Sequence, residues 1–247
     1  CTIEELNFID NDYFTMSGYE EAYFRNIKGE RISSMWGYFY EGVWKSYEMQ
    51  NAPKEAEPGS YKYKNLDNDP EGLINEKDCG IIGNGSPKFN WGWTNTLTYK
   101  DFDFSLFVVG FHGFDIYNHT RSALLSVGGS IAPNPEFYNR WTPENEETGI
   151  AGFVKNPNKK TSTQFVEKGD FVKVKSITLG YTLPKKILKS CHINNFRIYA
   201  SLQNPFLFTG YSGIDPEVTL RKPLASGVDY GYYPNGRNYL IGINFGF

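Results

Sequence analysis

Between Phe89 and Tyr99 the chain alternates Phe89, Trp91, Trp93, Asn95, Leu97 and Tyr99 with Asn90, Gly92, Thr94, Thr96 and Thr98. A period of two puts successive side chains on opposite faces of a strand, so this segment reads as β with one aromatic and one small polar face. After Lys100-Asp101 the pattern resumes, with Phe102, Phe104, Leu106 and Val108 opposed by Asp103, Ser105, Phe107 and Val109. The two segments form a hairpin with a very short turn. The same period returns at Ile177, Leu179, Tyr181 and Leu183, stopped by Pro184, then at Phe196, Ile198, Ala200 and Leu202. A last run, Tyr239, Ile241, Ile243, Phe245 and Phe247, reaches the final residue. Composition agrees: aromatic residues make up 17% within only 40% hydrophobic, and 25 Gly with 13 Pro interrupt helices. An all-α fold is excluded and a doubly wound α/β fold is disfavoured.

Weaker strand patterns lie within residues 7–26 and 32–44, giving seven strands of about ten residues. The rest falls mainly into three long connections, residues 45–88, 113–169 and 208–236. The short turns, at Lys100-Asp101 and after Pro184, lie at one end of the sheet and the long connections at the other. That asymmetry suits an antiparallel, up-and-down transmembrane β-barrel with long extracellular loops. A soluble β-sandwich is the competing architecture, and an open sheet with bare edges could not stand alone in hydrocarbon. No run approaches the ~18 apolar residues of a transmembrane helix, and mean hydropathy is −0.49, which a barrel's alternation tolerates.

The formal net charge of −3, with no basic block, argues against nucleic acid as a partner. Cys1, Cys79 and Cys191 are too few and too scattered for a disulfide framework or thiolate metal site, although Cys1 has the position of a lipoprotein's acylated residue. Without an initiator Met or signal-like segment the sequence is expected to be a fragment.

Several stretches resemble the C-terminal part of the SusC/RagA family of TonB-dependent outer-membrane transporters. They include Ile32-Ser33-Ser34-Met35-Trp36-Gly37-Tyr38, Pro58-Gly59-Ser60-Tyr61, Ile81-Ile82-Gly83-Asn84, Gly113-Phe114-Asp115-Ile116-Tyr117-Asn118, Gln203-Asn204-Pro205-Phe206 and Tyr211-Ser212-Gly213-Ile214-Asp215-Pro216. Most extensive is the run from Phe171 to Pro184. The resemblance implies that residues 1–247 are the last part of a plugged barrel importing oligosaccharides or peptides across the outer membrane of a Gram-negative bacterium. It also implies a SusD-like surface lipoprotein as lid, the TonB system as energy source, and a plug and earlier strands outside this sequence. The terminal Tyr239, Ile241, Ile243, Phe245 and Phe247 then resemble an assembly signal for barrel insertion.

Asn65, Asp67, Asp69 and Asp78 approximate a calcium loop, in which alternate oxygen ligands converge on a hard cation. Asn65 in first place, the inserted Pro70-Glu71 and the late Asp78 depart from the pattern and favour a solvated acidic turn. Among the loop aromatics, Trp141, Tyr211 and Tyr232 are candidates to stack on a ligand or to anchor loops. Trp91, Trp93, Tyr99, Tyr181 and Tyr239 suit an interfacial girdle. The carboxylates Asp215 and Glu217, or Glu144, Glu146 and Glu147, offer only weak acid/base pairs, and no cofactor or enzymatic activity is expected. A carbohydrate-binding sandwich and, further off, a soluble hydrolase are the competing functions.

Overall fold

The computed structural model describes residues 2–4, 13–17, 23–125, 134–155, 157–188, 193–221 and 224–246. In chain order the strands are β1 Tyr13–Ser17, β2 Tyr23–Ile27, β3 Ser34–Tyr38, β4 Tyr40–Val43, β5 Tyr61–Tyr63, β6 Cys79–Asn84, β7 Phe89–Tyr99 and β8 Phe102–His112. They continue as β9 Asp115–Tyr117, β10 Val166–Lys168, β11 Phe171–Thr182, β12 Asn195–Thr209 and β13 Asn238–Gly246, with two short helices among the described residues, α1 at His119–Leu124 and α2 at Lys185–Leu188. The chain divides into two compact units.

One unit, residues 87–113, 170–211 and 233–247, holds the five long strands in a single antiparallel sheet of order β13-β12-β11-β8-β7. This is the up-and-down meander expected from the alternation. Its turn at Lys100 has φ +55, a left-handed conformation that lysine adopts only at some cost. Tyr99 pairs with Phe102, and Phe102 in turn with Tyr181, so both short connections lie at one end.

Two irregularities keep the faces in phase. Lys175 is an extra residue of β11 between Val174, opposite Val108, and Ser176, opposite Phe107. On β12 the stretch from Gln203 to Phe206 spans the same break, with Asn204 at φ +50. A one-residue slip exchanges the two faces of a strand, and a bulge restores the original facing. Val172 and Val174 therefore share a face with Ile177, Leu179 and Tyr181 despite the odd spacing.

The other unit comprises residues 1–86, 114–169 and 212–232. Here the sequence reading needs correction. The upstream stretches are not additional long strands: they form β1 to β4, which belong to a four-stranded sheet of order β1-β2-β3-β6 and a separate β4-β5 pair. Nor are the long connections plain loops. They supply β9 and β10, α1 and most of a hydrophobic core that includes Phe24, Met35, Ile82, Tyr117, Phe137 and Phe165. Val43, Tyr61, Tyr63 and Ala151 form a second cluster. These positions are scattered and lack one period, because a core built by irregular segments imposes none.

Polar pairing closes the unit. The Oδ1 of fully buried Asn26 accepts from Ser33 N at 2.8 Å, and the amide of Asn84 donates to Ile32 O and Ser34 Oγ, both at 3.1 Å. Gly85 N donates to Ser33 O, and Ser226 N to Ser33 Oγ, which brings three distant segments together. Arg121 Nε donates to Glu136 Oε2 at 3.0 Å, and that guanidinium holds the Glu136 carboxyl below its ordinary range.

Candidate functional site

The five-stranded sheet presents an apolar face assembled in register. One row runs Leu97, Phe104, Leu179, Ala200, Ile241, and the next Tyr99, Phe102, Tyr181, Ile198, Ile243. These side chains are not covered: Leu97 is 58% exposed, Leu179 52% and Ile241 85%. Rings cluster at two levels. At one end Phe89 stacks on His112, Trp91 donates to His112 Nε2 at 3.1 Å, and the Trp91 ring covers Gly110 closely enough to leave no room for a Cβ. At the other, Phe102 and Tyr181 meet at 4.6 Å beside Tyr99. Trp91 and Tyr99 are about 27 Å apart along the strand at the usual rise, or about 21 Å along the normal of a sheet tilted by about 40°. Tyr239 instead falls in the row of Leu202 and Ile177, between those levels.

The opposite face is mainly polar. Thr178 and Ser201 share a hydrogen bond of 2.9 Å, and Arg197 grips Asp103 through two bonds of 2.9 and 2.6 Å across Gly180. A Cβ at Gly180 would sit 2.4 Å from the Asp103 carboxylate, so the absence of a side chain lets the pair bridge over β11. Phe107, 37% exposed, and Leu240, 45% exposed, are apolar exceptions, as are Val109, Phe111, Phe171 and Leu207 at the end away from the short turns. Of the expected terminal signal, Tyr239, Ile241, Ile243 and Phe245 form an exposed row on β13 at the sheet edge, while Phe247 lies outside the described residues.

The acidic loop is a hydrogen-bonded turn. Asp78, fully buried, accepts from Leu66 N at 2.7 Å, Asp67 N at 3.3 Å and Asn75 N at 2.8 Å. Asn65 and Asp67 both accept from Asp69 N, and Asp69 accepts from Leu73 N at 3.1 Å. The four expected oxygen side chains thus lie in one loop, oriented by backbone donors. Among the described residues no three His, Cys, Asp or Glu side chains are placed to hold a metal ion. Asp78→Ala leaves three part-buried backbone donors without their acceptor, and we expect a loss of about 3 kcal/mol in local stability. Amide exchange at residues 66, 67 and 75 should then quicken about a hundred-fold; unchanged protection would show that the carboxylate does not hold the loop.

The three candidate ligand aromatics have separate surroundings. Trp141 packs against the Val43–Tyr61–Tyr63 cluster, with its ring on Gly59, whose φ is +85 and whose absent Cβ would lie 2.5 Å from the indole. That is an anchoring role. Tyr232 meets Tyr230 edge-on at 6.1 Å, and Tyr230 meets His119 at 5.1 Å. Tyr211 is buried and belongs to the other unit. Three of the carboxylates weighed for acid/base chemistry serve the backbone or lysine: Asp215 accepts from Glu217 N, Glu146 from Ser46 N, and Glu147 pairs with Lys45.

A cavity of about 510 Å³ was not foreseen. Arg25, Trp36, Tyr38, Glu76, Cys79, Lys159 and Lys160 line it. The Arg25 guanidinium lies between the rings of Tyr13, at 4.3 Å, and Trp36, at 4.1 Å, and Lys160 Nζ sits 4.9 Å from the Tyr38 ring. Burial raises both the Cys79 thiol and the Tyr38 hydroxyl above their ordinary values. The Lys159-Lys160 doublet was a local signal, but the other walls come from separate strands and from the turn at Glu76.

No family model matches the chain. It is 34% identical to the TonB-dependent receptor P3 of Formosa agariphila over 89% of this chain and 22% of the receptor. The TonB-dependent receptor P26 of the same organism is 30% identical over 90% of the chain and 23% of its own length. The TonB-dependent receptor SusC of Bacteroides thetaiotaomicron is 28% identical over 96% and 22%. Over about nine-tenths of its length the chain is thus a homologue of TonB-dependent receptors. It spans about a fifth to a quarter of the length of these curated relatives. Among solved structures, the RagAB peptide importer in its open-open state aligns over 97% of this chain and 25% of that one, with a TM-score of 0.73 at 20% identity. The closed-closed state gives 0.74. These neighbours share the mostly antiparallel, all-β fold of the chain. The two-sheet sandwich is not favoured: Trp91 and Trp93, which it would pack in its core, are 39% and 50% exposed.

Proposed function

We propose that the chain is the C-terminal wall of a SusC-like outer-membrane importer that takes up oligosaccharides or peptides with TonB energy and a SusD-like lipoprotein. One observation carries this reading: the five-stranded meander exposes a continuous apolar face, ringed by aromatics at two levels, behind which the other face is mainly polar. In water such a face is a liability, because monomeric soluble proteins rarely expose apolar patches beyond a few hundred Å². In a bilayer it is a requirement, with the rings at headgroup level and the polar face toward a lumen.

The two outer strands, β7 and β13, have unpaired edges in this sheet. Hydrocarbon does not tolerate bare edges, so further strands must flank both. The earlier barrel strands of a longer receptor are the natural source. The wall lines and shapes a passage, and the reading requires no cofactor.

Spin labels test it directly. With the native cysteines replaced by serine and the chain carried in its full-length receptor in outer-membrane vesicles, a label at Leu97→Cys should be relaxed by oxygen and shielded from a water-soluble nickel chelate. A label at Thr96→Cys should behave in the opposite way. Equal chelate access at both positions would remove the membrane from the reading.

A further inference from the structure

We infer that the cavity beside β3 binds an acidic saccharide, a sugar ring bearing a carboxylate or a sulfate. The inference rests on the importer reading and narrows its substrate class. The cavity is positive within an acidic chain: Arg25, Lys159 and Lys160 face one carboxylate, Glu76, whereas the chain as a whole carries −3. Two of those cations are held in an unusual way. Lys62 and Arg121 of the same unit are engaged by the carboxylates of Glu48 and Glu136. Arg25 and Lys160 instead rest on aromatic rings, and among the described residues no carboxylate pairs with either. Arg25 Nε is buried without a hydrogen-bond partner.

A ring face attracts a cation but accepts little from its N–H groups, so stacking orients the charge and leaves its donors available. Two oriented cations at a cavity wall suit an oxyanion, which forms strong charge-assisted hydrogen bonds there. The volume lies within the usual range for small-ligand pockets, about 300–1,000 Å³. Its other polar groups favour a sugar over a peptide. Thr15, Thr161 and Tyr38 carry hydroxyls that both donate and accept, as a polyol demands.

Calorimetric titration of the detergent-solubilised full-length receptor with four probes tests the inference. The probes are a tri-uronate, maltotriose monosulfate, neutral maltotriose and triglutamate. At least one acidic sugar should bind about ten-fold or more tighter than maltotriose, and the tighter of the two identifies the anion. Lys160→Gln should weaken that sugar about ten-fold, Lys160→Arg should restore most of the affinity, and raising salt should weaken it further. Glu76→Gln should tighten it, a sign that damage to the fold cannot produce. The inference fails if maltotriose binds as well as both acidic sugars, if no sugar binds, if triglutamate binds tightest, or if Glu76→Gln weakens the complex. Spin-label accessibility at Leu97 reports on the membrane wall independently, so loss of sugar binding with that pattern intact would refute the ligand and spare the importer.

Discussion

Leu179→Arg should abolish assembly of the sheet into a membrane, while Thr178→Arg, one residue away, should leave it largely intact. Leu179 is 52% exposed and sits in the middle row of the apolar face, between Phe104 and Ala200. In water an exposed leucine can be exchanged for arginine at a cost within about 0.5 kcal/mol. At the middle of a bilayer the same exchange costs about 2–4 kcal/mol. Thr178 pairs with Ser105 and Ser201 on the polar face, where a long cation can reach the lumen. The measurement is the fraction of protein that is heat-modifiable on gels after outer-membrane extraction. Equal fractions for the two variants would show that the face does not meet lipid.

Gly85→Ala should unfold much of the other unit. A Cβ there would stand 1.7 Å from Ser226 O and 2.4 Å from its carbonyl carbon. Those atoms are backbone, fixed by the Ser226 N to Ser33 Oγ bond and by the Gly85 N to Ser33 O bond, so neither side can give way cheaply. Forcing an extra methyl into a packed site ordinarily costs about 1–3 kcal/mol, and a backbone collision belongs at or beyond the upper end. Gly236→Ala, with nothing within 4 Å of its added carbon, is the control and should be neutral. Limited proteolysis within residues 114–155 reads the difference. Equal cleavage rates for the two variants would mean that the approach at Gly85 relaxes without penalty.

The sheet was legible in the sequence because its strands are long and two-faced. Leu97, Leu179 and Ile241 occupy one face of separate strands, and each announces itself by a bulky residue at every second place. Strands of that kind need no tertiary information to be recognised. The second unit was not legible for the converse reason. Ile116 and Phe165 are fully buried, yet they sit in short strands or single turns, too brief to display a period. The stretch near Trp36 was recognised as β, but its partner β6 lies beyond a long excursion and cannot be foreseen locally. The candidate site divides the same way. The oxygens of Asn65, Asp67, Asp69 and Asp78 were found as a group because they are close in sequence. The cavity escaped because Arg25, Trp36, Glu76 and Lys160 converge from four places, and only the folded chain makes neighbours of them.

The two units are interleaved along the chain, each made of three separate segments, with crossings after residues 86, 113, 169, 211 and 232. Synthesis from the N-terminus therefore delivers pieces of both alternately. The segments of the second unit are complete only with residue 232, by which point four of the five long strands have emerged without β13. Contacts so distant along the chain close slowly. During that interval rows of rings destined for an apolar surrounding stand in water beside unpaired edges, a combination prone to aggregation. A nascent chain of this design must be shielded until its last strand arrives, and no single cut would release either unit whole.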